Sequence, residues 1–117
     1  MTSLRSKSDE LMREAIKDLE VGCYNKAVSA AYFSVRLAAE SVLRGLKTKR
    51  DDKIANALER VLSRKLGRKK ARDIRNAYMT LFEARKLADH RPISLSKEDA
   101  ETYVRMAERL RAIVLEL

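Results

Sequence analysis

"YNKAVSAAYFSVRLAAESVLRGL", Tyr24 to Leu46, is the least polar stretch of the 117-residue chain, and Lys26, Arg36, Glu40 and Arg44 are its only charges. A helix that is apolar around most of its circumference belongs inside a bundle, not on its surface. Its small residues, among them Ala27, Ser29, Ala30, Ala31, Ser34, Ala38 and Ala39, let neighbouring helices approach closely. The stretch is therefore expected to be a central helix, and the segments on either side must cover it.

Those segments have the required pattern. Leu11, Met12, Ala15, Ile16 and Leu19 recur at helical spacing in a helix that starts in the Ser-rich leader, and Gly22 ends it. Ile54, Ala57, Leu58, Val61, Leu62 and Leu66 mark a third helix, opened by Asp51-Asp52 at its positive end and closed by Gly67. A fourth, from about Arg68 to Ala88, carries the stripe Ile74, Ala77, Tyr78, Leu81, Ala84 and Ala88. After Pro92, Ser96 followed three residues later by Asp99 opens a fifth, with Ala100, Tyr103, Val104, Ala107, Leu110 and Val114 on one face. Short connections between amphipathic helices predict an all-α fold, an antiparallel four- to five-helix bundle, within a single domain spanning residues 1–117.

Composition agrees. Three glycines and one proline are too few for a fold rich in strands and turns, and 37% of the residues are charged. The formal net charge of +9 draws in polyanions or an acidic partner; a highly charged, solvated, heat-adapted surface gives the same composition. One cysteine and one histidine make neither an intramolecular disulfide nor a usual zinc site, so no metal or other cofactor is expected. The polar start "MTSLRSKSDE" lacks a signal-peptide core, and no apolar run is long enough for a bilayer. A cytoplasmic protein without a membrane segment is the expectation.

The chemistry concentrates in "RKLADHRP", Arg85 to Pro92, which holds the only histidine and the only proline. Ile74, Tyr78, Leu81 and Arg85 follow at steps of four, three and four, so Arg85 stands where a buried seam asks for Leu or Ile. A guanidinium there needs a partner or a wet cleft, unless its stem snorkels and the head reaches solvent. On an unbroken helix His90 points about 140° away from Arg85. Pro92 disfavours helical geometry at Arg91, so the helix is expected to unwind near Asp89 and let His90 swing back towards Arg85. A histidine to take the 2′-hydroxyl proton and an arginine to steady the phosphorane are what metal-free RNA cleavage needs; the other reading of His90 is a surface residue capping the helix.

"YNKAVSAAYFSVRLAAESVL" together with "RKLADHRPISLSKEDAETYVRMAERL" resembles the HEPN domain superfamily, helical bundles that usually dimerise; the likeness runs from about Asp9 to Val114. Active members carry R-x-x-x-x-H, with four to six residues between, and are metal-independent ribonucleases with paired sites at the dimer interface. The resemblance implies Arg85 and His90 as the catalytic pair, with Asp89 orienting the histidine. Lys86 follows the arginine where active members often have Asn, Asp or His. A subgroup reading R-x-x-A-D-Y also fits Ala88-Asp89, with His90 at its tyrosine. Many small prokaryotic members are encoded beside a minimal nucleotidyltransferase antitoxin, and others are nucleotide-binding or partner modules without catalysis. The tyrosine that some antitoxins adenylylate shortly after the histidine has no counterpart before Tyr103. The two functional expectations are thus a toxin-type endoribonuclease acting on RNA as a homodimer, and a silent module partnering a nucleotidyltransferase.

Away from that stretch, "SRKLGRKKARDIR", Ser63 to Arg75, gathers Arg64, Lys65, Arg68, Lys69, Lys70, Arg72 and Arg75 around one turn. With Lys47, Lys49 and Arg50 these form a basic surface able to follow a phosphate backbone, or simply a solvated loop. Arg68, Lys69, Lys70 and Arg72, with Lys86 and Arg91 near the histidine, are the expected nucleic-acid contacts. The turn lies far from His90, at the other end of the fourth helix. Arg36 and Glu40 have the spacing of an i to i+4 ion pair. Tyr24, Tyr32, Phe33, Tyr78 and Phe82 read as core, with base stacking as the other use. Cys23 has no nucleophile context.

Overall fold

A computed structural model describes residues 3–43, 45–46, 50–90 and 93–117. Five helices follow in order: α1 (Leu4–Glu20), α2 (Tyr24–Val42), α3 (Asp51–Leu66), α4 (Arg68–His90) and α5 (Lys97–Leu115). No strand occurs among the described residues. The all-helical expectation holds, and α2 is central: it packs against α1, α5 and α4, while α3 lies chiefly on α4. Tyr32, Val35, Leu58, Leu62, Tyr78, Leu81, Val104 and Val114 are among the side chains that fill the core. Among the described residues no helix is long and apolar enough to cross a membrane.

Two helix ends differ from the expected ones. α2 stops at Val42, four residues early: Leu43 leaves the helical region with ψ 88°, and Gly45 beyond it takes a left-handed φ of 79°. α4 does not unwind at Asp89 but continues through His90. The proline's steric veto reaches only the residue before it, so His90 stays free to be helical. The α4 end is also held from outside. Asn25 at the start of α2 donates from Nδ2 to the Ala88 carbonyl (3.1 Å) and to that of Ile93 (2.9 Å), and its Oδ1 accepts from the Leu95 amide (2.9 Å). One amide therefore satisfies a terminal carbonyl of α4 and pins the chain beyond it.

The other helix boundaries follow ordinary capping chemistry. Ser3 and Ser96 cap α1 and α5, accepting from the Ser6 and Asp99 amides at 3.0 Å each. Gly67 serves two helices: its amide donates to the Ser63 carbonyl and its own carbonyl accepts from Ala71, both at 3.1 Å. Its φ of 87° makes the sharp α3–α4 turn, and having no side chain it leaves α4 without a side-chain cap.

Where the core must contain polar atoms, it answers them. Ser8 of α1 and Ser34 of α2 are fully buried. Each hydroxyl donates to the other residue's carbonyl, at 2.6 Å from Ser8 and 2.5 Å from Ser34, and Arg111 Nε of α5 donates to Ser8 Oγ at 2.8 Å. Three helices are thereby held in register by groups that would each cost free energy if left alone.

Candidate functional site

The stretch Arg85 to His90 forms the last turn and a half of α4, facing α2. Arg85 is a quarter exposed, and its guanidinium carbon lies 5.0 Å from the Phe33 ring centre and 5.6 Å from that of Tyr32. The pattern that asked for an apolar residue is answered by an apolar seat: the stem packs inward and the cation rests on two aromatic faces. Arg85 Nε stands 2.9 Å from Asp89 Oδ2, a close ionic contact. The buried N–H does not point along a hydrogen bond to that oxygen and is left undonated. Ser29 Oγ of α2 donates to the same Asp89 oxygen at 3.3 Å.

These contacts reassign Asp89. It was expected to orient His90; instead its carboxylate is turned to Arg85, one helical turn back, and to Ser29. Adjacent residues on a helix do not face one another. His90 is exposed and borders a shallow recess with Glu83, Lys86 and Leu87. Lys86, at i−4, shares its face; the Lys86 ammonium lies 5.1 Å over the Phe82 ring and 3.8 Å from Glu83 Oε2. Because α4 is continuous, Arg85 and His90 diverge by about 140° within one chain. Arg91 and Pro92 lie outside the described residues, as do Arg44, Lys47 and Lys49.

Beneath Arg85 lies a second polar cluster. Asp51, the first residue of α3, sends Oδ1 to two phenols: Tyr78 of α4 donates to it at 2.7 Å, and Tyr32 of α2 donates as well. Arg36 Nη1 lies 3.5 Å from Asp51 Oδ2 and donates to Tyr32 Oη at 3.3 Å. The expected Arg36–Glu40 pair is thus replaced by an Arg36–Asp51 pair that links α2 to α3. Burial, with the Asp51 carboxylate beside it, pushes the Tyr32 phenol up to about 12. Tyr78 is also raised, first by burial and then by the charges around Tyr32 and Asp51. Arg36 rises as well, its desolvation outweighed by Tyr32 and Asp51. The cluster fixes the Tyr32 ring on which Arg85 rests.

Arg68, Lys69, Lys70 and Arg72 lie exposed at the start of α4, the first three in its first turn, with Arg64 and Lys65 in the last turn of α3. They do not join the Arg85 cluster: along α4, Arg72 is about 20 Å from Arg85, and Arg68 about 33 Å from His90. Tyr32 and Tyr78 are core residues as expected, at 1% and 0% exposure. The residues that sequence reasoning missed are Asn25, Ser29 and Asp51. Asn25 carried a signal, as a lone amide opening an otherwise apolar helix; the phenols that Asp51 receives could not be paired with it from spacing. No group of three His, Cys, Asp or Glu side chains suited to a metal ion occurs among the described residues.

Comparison with known proteins adds one finding. No curated protein and no solved structure matches the chain. The family model for the HEPN domain does match, and over residues 1–117. With the helical bundle and the R-x-x-x-x-H stretch at the end of α4, that match makes the chain a member of the HEPN domain family.

Proposed function

We propose that the protein is a metal-independent endoribonuclease of the cytoplasm, a single HEPN domain that cuts RNA as a homodimer and acts as the toxin beside a minimal nucleotidyltransferase antitoxin. The observation that carries this reading is the seat of Arg85. A permanent cation, a quarter exposed, is planted on two aromatic rings near the end of α4. An anion arriving there meets a guanidinium already held in place, and shares it with the Asp89 carboxylate.

The divergence of Arg85 and His90 assigns the second copy its part. The phosphate would lie between two α4 ends, with Arg85 of one copy and His90 of the other on it. One His90 takes the 2′-hydroxyl proton as that oxygen attacks phosphorus. Arg85 of the other copy steadies the charge on the phosphorane, and the P–O5′ bond breaks as the same imidazolium gives that proton to the leaving oxygen. The products are a 2′,3′-cyclic phosphate and a 5′-hydroxyl. Asp89 acts as a positioning residue for Arg85.

A second reading has its own support. With Asp89 committed to Arg85 and Ser29, nothing among the described residues orients His90, as suits a catalytically silent module that binds nucleotide or a nucleotidyltransferase. Incubating a structured RNA with purified protein in EDTA, beside Arg85→Ala and His90→Ala, separates the two. Cyclic-phosphate ends, lost in both folded variants, support the nuclease. No cleavage by a folded dimer transfers the function to the silent module.

A further inference from the structure

We infer that the α3–α4 corner is an RNA-backbone grip, separate from the Arg85 site, that holds substrate at a distance from the point of cleavage. The inference rests on the reading that the protein acts on RNA, but not on whether it cuts.

Three observations on the corner agree. First, its charge is one-sided. Asp73 is the one carboxylate between Glu59 and Glu83, against eight Lys and Arg side chains in that interval. Second, the charge is unmatched. Among the described residues Arg64, Lys65, Arg68, Lys69, Lys70 and Arg72 form no ion pair, although nearby Arg75 pairs with Glu59 at 3.7 Å. Elsewhere some surface cations find partners, as Arg13 does in Asp9, Lys86 in Glu83 and Lys97 in Glu101, and those that do not, such as Lys26, Lys53 and Arg105, are scattered singly, whereas the corner gathers six in nine residues.

Third, the cations stand where they oppose the helix. Arg64 and Lys65 end α3, where positive charge is welcome, but Arg68, Lys69 and Lys70 form the first turn of α4, where it is not. That turn holds no acidic residue, and Gly67 offers it no cap. α1 and α5 open on serine caps, but the φ of 87° at Gly67 that makes this turn disfavours a serine, so no side-chain oxygen offsets the cations here. Local rules broken without a structural gain point to a function met by an outside group. That group must carry many negative charges on an open surface, as a phosphate backbone does. It is the cations that make the surface; the helix end only raises their cost when they are unmatched.

The spacing then sets a length requirement. With about 20–33 Å between the corner and the Arg85–His90 turn, RNA must span about six to ten stacked nucleotides to touch both. A tetranucleotide reaches one or the other.

The test uses the full chain and fluorescein-labelled single-stranded RNA of 4 and 20 nucleotides, with binding read by anisotropy across a salt series. The variant is Arg68→Gln/Lys69→Gln/Lys70→Gln/Arg72→Gln, which removes opposed cations and is expected to fold with an equal or higher Tm. If all six corner cations engage, the wild-type slope of log K against log salt is about −4 for the 20-mer, and the variant loses about 3 of it. A 20-mer bound at least ten-fold more weakly by the variant, with the tetramer affected far less, supports the grip. Equal 20-mer affinity and slope in the two proteins would overturn it. Polyglutamate of equal charge competing as well as RNA would also overturn it, in favour of an acidic protein partner. If corner-dependent binding is found and no cleavage occurs, the grip stands and the nuclease reading falls. Cleavage that ignores the corner variant at every RNA length has the reverse meaning.

Discussion

Two polar regions sit on the same helix and are built by opposite rules. Around Tyr78, in the middle of α4, two phenols and a guanidinium converge on the Asp51 carboxylate. At the start of α4, cations crowd a helix end that repels them, and among the described residues none is ion-paired. A polar group in the interior must be answered within the chain, because burial removes water as a partner. A polar group at the surface can be left for something else to answer. The comparison predicts that disturbing the first region destabilises the protein, whereas neutralising the second stabilises it while weakening what it binds.

The largest effect belongs to Asp51. Asp51→Ala strands the Tyr78 hydroxyl, which lies in the core, and leaves Arg36, mostly buried, without this counter-ion. A loss of about 3 kcal/mol is expected, measured by urea unfolding with the slope m unchanged. Tyr78→Phe removes one donor and keeps the ring, and about 1 kcal/mol is expected from the same measurement. If Asp51→Ala unfolds like wild type, the interior region is not the clamp described here.

Alkaline pH probes the same cluster without mutation. The Tyr32 phenol is raised from its ordinary 10 to about 12, and Tyr78 is raised too, so the folded state holds these protons more tightly than the unfolded chain. Their stabilising contribution is complete below pH 10 and is lost as pH rises through about 12. Stability should therefore fall between pH 10 and 12, and a Tyr32→Phe/Tyr78→Phe chain should lose stability less steeply over that window. Equal slopes in the two chains would mean that the phenols are not held as the structure shows.

At the Arg85 end the expected change is smaller and more local. Asn25→Ala frees the Ala88 and Ile93 carbonyls and the Leu95 amide together. Global stability should drop by about 1–2 kcal/mol, with hydrogen exchange rising first at the end of α4 and in residues 93–95. Uniform loss of protection along α4 would place the clamp elsewhere.

How much of this was legible beforehand depends on the range of each interaction. The helices were readable because their signals are local: Gly22 and Gly67 stop them, Ser96 starts one, and the apolar residues repeat at helical spacing. The position of Arg85 on a buried seam was readable for the same reason. What it rests on was not, since Tyr32 and Phe33 lie some fifty residues earlier and their contact is made by folding alone. Arg36 shows the same limit. The i to i+4 rule offered Glu40, but a carboxylate at the next helix start binds it together with Tyr32, and a partner brought by packing took the place of one brought by sequence. The end of α4 lies past the expected one because a proline's veto reaches only the residue before it, while the Asn25 clamp that extends the helix is a tertiary feature.

The smallest effect is the one with the opposite sign. Lys69→Glu puts a carboxylate in the first turn of α4, where the helix dipole favours it and the neighbouring cations are close enough to pair. Stability should rise by about 0.5 kcal/mol, a Tm increase of about 2 °C at low salt that shrinks as salt is added. Few surface substitutions in a natural chain are expected to stabilise it by reversing a charge. Here the gain follows from the crowding itself, and the same substitution should weaken binding to a 20-nucleotide RNA. A neutral or lowered Tm would mean that Arg68, Lys69 and Lys70 are already accommodated by solvent, and the opposition between the two regions of α4 would lose its energetic basis.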